Sequence, residues 1–186
     1  MISYYLEIVI LSLIQGISEF IPISSSAHLI LISKISNFKI ASLEIDVSMH
    51  LGSLLAILFY FRKDLLGIFA NKNLFKLIVF GSLPLVVVGL IFYQTGFINY
   101  LRDIRIIAWT TLLFGILLFI ADKFKSNKNI NNDLNMKNVL LIGLFQILSL
   151  IPGVSRSGIT ITAGRFFNFS RLDSSKISFY LSIPAL

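Results

Sequence analysis

The chain has 186 residues, of which 56% are hydrophobic and only 13% charged, with a net charge of +7 and no cysteine. A soluble domain carries about 25% charged residues, so this composition argues against a soluble fold, and the missing cysteines exclude disulfides, thiolate nucleophiles and cysteine-ligated metals. A mean hydropathy of +0.87, with apolar runs approaching the ~20 residues that cross a bilayer, predicts an all-α integral membrane protein.

The sixteen Lys and Arg residues lie mostly in loops. They therefore read as membrane topology rather than as a nucleic-acid surface. A secretory signal peptide fits the N-terminus poorly, because its apolar stretch holds Glu7, Gln15 and Glu19 with no basic residue before it. No low-complexity linker divides the chain, which reads as one membrane domain over residues 1–186.

In chain order, the apolar run from Tyr4 breaks at Pro22, because proline lacks an N–H and disfavours helix at the residue before it. A short apolar run, Leu29–Ser33, follows. Neither piece is long enough to span, so residues 4–33 are expected to form a re-entrant hairpin. Four crossing or nearly crossing helices come next, at Val47–Phe61, Leu74–Tyr93, Ile106–Ala121 and a last one opening at Ile177. The hydrophilic segments between them are 62–73, 94–105 and 122–137. Arg62, Lys63, Lys72 and Lys76 border the first, and Lys123, Lys125, Lys128 and Lys137 the third, against Arg102 and Arg105 in the middle one. That excess places the first and third segments in the cytoplasm and the middle one outside. The segment holding Lys34, Lys39, Glu44 and Asp46 then lies outside as well. A second hairpin is expected over 139–167, with Val139–Ile151, a break at Pro152-Gly153, and Ile159–Phe167.

The two breaks resemble each other. IPISSS (21–26) and IPGVSRS (151–157) each follow an apolar helix carrying a glutamine, Gln15 and Gln146. Similar broken helices entering from opposite faces mark an inverted-topology repeat, with the site where the breaks meet. The predicted fold is thus a polytopic helical bundle with two opposed re-entrant broken-helix hairpins. Repeat 1 covers about 1–121, and repeat 2 runs from about 138. The plainer alternative is a pair of proline kinks whose serines bond helix carbonyls.

Irregular backbone at membrane depth survives only where protein or a water-filled cavity satisfies it. Helix N-termini opening after each break would aim free N–H groups into such a cavity and attract anions, phosphate above all. Ser24, Ser25, Ser26, Ser155 and Ser157 add hydroxyl donors. Arg156 costs about 2.5–3.5 kcal/mol at the bilayer centre on insertion scales, and its fork suits bidentate phosphate contacts. An ion pair with Glu19 is the structural reading of the same residue. Glu19 and Gln15 are four residues apart, on one helix face. Beside cations the Glu19 carboxylate is expected to stay ionised and to hold a divalent metal or accept a proton. His28 shares the short loop with Ser25 and Glu19 and is expected to handle protons. His50, in DVSMHLGS, is given a supporting or structural role, and Trp109 with the many phenylalanines a lipid-facing or packing one.

QGISEFIPISSSAH (15–28) together with PGVSRSGIT (152–160) resembles the undecaprenyl-diphosphate phosphatase family, also called the bacitracin-resistance BacA family. DVSMHLGSLLAILFYFRKDL between them is similar to that family's next helix and loop, and the similarity continues to SFYLSIPAL. The resemblance implies hydrolysis of undecaprenyl diphosphate to the monophosphate in the bacterial cytoplasmic (inner) membrane, recycling the cell-wall lipid carrier, with the active site open to the outer face. It implies an isoprenyl diphosphate lipid as substrate, membrane lipids as surroundings, no nucleic acid, a divalent metal (Mg or Ca) at Glu19, and room for a homo-oligomer. Carried over by position, Glu19 is the second acidic residue of the (E/Q)xxxE motif, Ser25 the serine proposed as nucleophile, His28 the motif histidine and Arg156 the phosphate-binding arginine. Ser155, Ser157 and Thr160 fall on the other polar positions of the second motif, and Gln15, Ser24 and Ser26 join them as expected substrate contacts.

Two departures qualify the resemblance. Gln15 stands where many family members have glutamate, which puts a two-carboxylate metal site in doubt. Family members also continue for several helices beyond SIPAL, so the second repeat is expected to lack its last spans. A small-anion transporter or channel on the same inverted repeat is the alternative, but it needs no nucleophile. An intramembrane serine hydrolase fits less well, because GVSRSG is not a GxSxG elbow.

Overall fold

The computed structural model of the chain describes residues 4–19, 21–40 and 42–185. Among them the regular structure is helical: α1 (Tyr4–Ser18), α2 (Ser25–Ile35), α3 (Leu43–Tyr60), α4 (Arg62–Ala70), α5 (Lys72–Gln94), α6 (Phe97–Tyr100), α7 (Ile104–Asp122), α8 (Ile130–Asp133), α9 (Met136–Gln146), α10 (Arg156–Phe166) and α11 (Arg171–Ser182). A 3₁₀ turn, Ile147–Leu150, extends α9.

Three of the described helices, α3, α5 and α7, are long and apolar enough to cross a membrane. Their apolar side chains point outward: Phe59, Leu90, Trp109 and Phe119 are all more than half exposed. An apolar surface of this extent needs lipid around it. Pro84 sits inside α5 without ending it, which neighbouring helices make tolerable at membrane depth.

Two helix pairs stay short. At 1.5 Å per residue, the 11-residue α2 and α10 are each only ~17 Å long, against a ~30 Å hydrocarbon core. Helix α1 packs on α2 and α9 packs on α10, so each broken segment folds back as a helical hairpin. The first pair closes over Leu11, Leu29 and Phe38. Its far end is tied by buried Glu7, which accepts from the Lys39 and Ile40 amides at 3.0 and 3.3 Å. The second pair is held against α5 and α11 by Leu77, Val139, Ile142, Ala163, Ile177 and Leu181. There Gly81 of α5 and Gly143 of α9 meet so closely that a Cβ on Gly143 would overlap the Gly81 carbonyl, the small-residue contact that lets membrane helices approach.

Element boundaries differ from the sequence reading where side chains cap helices. Ser42 accepts from the Ile45 amide and opens α3 at Leu43, four residues before Val47, so Glu44 and Asp46 lie inside the helix. Ser170 accepts from the Asp173 amide and opens α11 at Arg171 rather than Ile177. The segments 62–73, 94–105 and 122–137 contain the short helices α4, α6 and α8 rather than plain loop.

Candidate active site

The first break begins one residue beyond α1. The Glu19 amide still donates to the Gln15 carbonyl at 3.0 Å, so the two side chains stack on one face and Gln15 Nε2 donates to Glu19 Oε2 at 2.9 Å. Ser24 then caps α2, accepting from the Ala27 amide, and Ser25 becomes the first residue of that helix. Its Oγ donates to Glu19 Oε2 at 2.7 Å.

The second break is shaped by Gly153, whose φ of +96° suits glycine, while a Cβ there would run into the Thr110 hydroxyl and the Ile107 carbonyl of α7. Thr110 also donates to the Pro152 carbonyl at 2.7 Å. Ser155 caps α10 through the Gly158 amide, which puts Arg156 at the first helical position.

The two breaks touch. The Gly153 amide donates to Ser24 Oγ at 3.2 Å, and Ser157 Oγ donates to the Ile21 carbonyl at 3.2 Å. Arg156 Nη2 donates to Glu19 Oε1 at 2.5 Å in a nearly buried ion pair. Glu19 is therefore shared: one oxygen faces the guanidinium and the other faces Ser25 and Gln15. A cavity of about 250 Å³ opens beside it, lined by Glu19, Ser24, Ser25, Ser26, Ser155, Arg156 and Ser157, and also by Asp46, His50 and Arg102.

The expected site residues are not all in this cavity. Gln15 is buried behind Glu19. Thr160 Oγ1 turns to the Arg156 carbonyl and to Ser178 of α11, at 2.8 and 2.7 Å. His28 is held on its own helix, with Nδ1 on the Ser24 carbonyl at 2.6 Å. The histidine beside Ser25 is His50: its Nε2 lies 3.4 Å from Ser25 Oγ and 3.5 Å from Glu19 Oε2. His50 Nδ1 donates to the Asp46 carbonyl at 2.8 Å; we assign the proton to Nδ1 because a carbonyl can only accept, and this leaves the Nε2 lone pair toward the serine. Asp46 and His50 are four residues apart on α3, and that spacing is the signal in the sequence for a polar face.

No group of three His, Cys, Asp or Glu side chains gathers into a metal cage among the described residues. Glu19, one carboxylate at the junction of the breaks and on the cavity wall, suits a cation that takes few protein ligands and completes its shell with phosphate oxygens and water, as Mg²⁺ does.

A helical membrane protein in which two helix breaks join a serine, a carboxylate and a guanidinium at one cavity is the class this geometry defines. The family described as Bacitracin resistance protein BacA matches residues 8–186, and the chain belongs to that family. It is 59% identical over 187 residues to the undecaprenyl-diphosphatase of Pelagibacter ubique (strain HTCC1062), covering 100% of this chain and 73% of that protein. It is 42% identical over 193 residues to the undecaprenyl-diphosphatase of Campylobacter curvus (strain 525.92), covering 97% and 72%, and 43% identical over the same length to that of Campylobacter concisus (strain 13826).

Proposed function

We propose that this chain is an integral-membrane phosphatase that hydrolyses undecaprenyl diphosphate to undecaprenyl phosphate and inorganic phosphate, recycling the cell-wall lipid carrier and conferring bacitracin resistance. The observation that carries the reading is Ser25 Oγ bonded to Glu19, whose other oxygen holds Arg156 from the opposite break.

Ser25 Oγ attacks the terminal phosphorus, and the bond from that phosphorus to the bridging oxygen breaks. The bridging oxygen leaves with the lipid monophosphate. The serine proton passes to His50 Nε2 or to Glu19, the two acceptors within reach. Water then attacks the phosphoserine, releases phosphate and returns a proton to Ser25. Arg156 exchanges Glu19 for phosphate oxygens and neutralises charge as the transition state forms. The N-termini of α2 and α10, capped by Ser24 and Ser155, aim backbone N–H groups at the same anion. A divalent cation, Mg or Ca, would be held by Glu19 with substrate oxygens, and would supply charge neutralisation of the diphosphate.

Two further readings belong to the proposal. The hairpins α1–α2 and α9–α10 enter the bilayer from opposite faces as halves of an inverted repeat, which their shortness and their contact at the breaks support. The site opens to the outer face of the cytoplasmic membrane. The support is that Ile98 and Arg102 line the cavity, and they belong to the segment with few basic residues between two rich ones. The test is phosphate release from undecaprenyl diphosphate by the purified chain, with added Mg²⁺ and with chelator. Turnover that depends on Ser25 supports the phosphatase. Anion flux in vesicles without hydrolysis would replace it with a transporter.

A further inference from the structure

The cavity holds a second guanidinium–carboxylate pair that the reaction as described leaves unused. Arg102, from the turn between α6 and α7, donates Nη2 to Asp46 Oδ2 of α3 at 2.6 Å. Asp46 is buried, and the Arg102 side chain is 22% exposed. Taking both charges out of water costs several kcal/mol per ion, and apolar residues of similar size often hold such a place as well or better. The pair does not cap α3, because Ser42 does. Arginine carries five N–H donors, and one bond, to Asp46, is the side-chain hydrogen bond Arg102 makes among the described residues.

The charges of the cavity frame the need. Glu19 and Asp46 balance Arg156 and Arg102, so the site without substrate is near neutral apart from His50. A diphosphate brings negative charge on both phosphates, and one fork, Arg156, is committed to the phosphate under attack. We propose that Arg102 binds the phosphate next to the lipid, exchanging Asp46 for phosphate oxygens, and so makes the site selective for diphosphates over single phosphates. Asp46 is then the counter-ion that holds the fork in place until substrate arrives, as Glu19 does for Arg156. The assignment rests on the phosphatase reading.

The experiment measures competitive inhibition by inorganic pyrophosphate and by inorganic phosphate, together with KM and kcat for undecaprenyl diphosphate. In Arg102→Gln, pyrophosphate inhibition should weaken by about tenfold to a hundredfold, the range for one hydrogen bond to a charged group. KM should rise in parallel, while kcat and inhibition by phosphate stay within about threefold of wild type by the same reasoning. Arg102→Lys should fall between the two, and Asp46→Asn, which frees the fork, should bind pyrophosphate at least as tightly as wild type. Equal pyrophosphate inhibition in wild type and Arg102→Gln, or equal weakening for both anions, would overturn the assignment and leave the pair as a clasp between α3 and the α6–α7 turn. A wild-type chain that hydrolyses nothing would instead sink the phosphatase reading. Calorimetric titration of pyrophosphate into wild type and Arg102→Gln would still test Arg102 by itself.

Discussion

The two breaks share a plan and divide the work. Each follows an apolar helix with a buried glutamine, contains a proline, and ends at a serine that caps an 11-residue helix. The first break carries Glu19 and Ser25, bonded to each other, and Ser25 also meets His50 of α3. The second carries Arg156 and is braced from α7 by Thr110 against Pro152 and Gly153. In the proposed reaction the first break supplies the nucleophile and proton acceptors, and the second the anion clamp. Under that proposal, the residue one step past each serine cap, Ser25 or Arg156, sets which role its break takes.

The comparison can be broken most severely on the chemical side. Ser25→Ala should lower phosphate release by about a thousandfold or more, whereas Ser24→Ala and Ser26→Ala should cost far less, since Ser24 caps α2 and shares a hydrogen bond with Ser26. A folded Ser25→Ala protein that keeps near-native turnover would move the nucleophile elsewhere. On the binding side, Arg156→Lys keeps the charge but loses the planar fork. A drop of about a hundredfold in kcat/KM is expected, and a value close to wild type would leave Arg156 a structural partner of Glu19.

His50→Gln keeps a hydrogen-bond acceptor beside Ser25 but removes the proton acceptor. With Glu19 still in reach, the loss should be roughly tenfold to a hundredfold in kcat with KM little changed. Gly153→Ala acts through the brace instead: its left-handed backbone and the nearby Thr110 hydroxyl predict a loss of stability of about 1–3 kcal/mol, read as a lower midpoint of thermal unfolding in detergent. The smallest effect belongs to His28→Ala. It removes a ring bonded to its own helix, so turnover should stay within about threefold. A hundredfold loss would return His28 to the reacting centre.

Much of this arrangement is legible in the amino-acid sequence. Pro22 and Pro152 interrupt apolar runs, the four-residue spacing of Gln15 and Glu19 puts them on one face, and the likeness of IPISSS to IPGVSRS predicts that the breaks meet. Glu19, Ser25 and Arg156 are indeed in contact. The neighbour of Ser25 is not legible in the same way. His28 shares its loop and reads as the natural partner, but its Nδ1 is taken up by the Ser24 carbonyl of its own helix, and periodicity does not report which side chain arrives from another helix. His50, twenty-five residues on, arrives through packing of α3 against α1. The start of α3 is not legible either: the Ser42 cap opens the helix at Leu43, so Asp46 is a buried helical residue rather than part of the segment before it.

The central claim is that Ser25, held by Glu19 in the first break, takes the phosphoryl group that Arg156 holds from the second. Its most direct test is rapid quenching of the purified protein during turnover of undecaprenyl diphosphate labelled in the terminal phosphate, at both acid and alkaline pH, followed by peptide mapping. The account predicts acid-stable label on the peptide containing Ser25, absent from Ser25→Ala. Acid-labile label on His28 or His50, or turnover in which oxygen-18 from water enters the released phosphate without label ever reaching the protein, would contradict it.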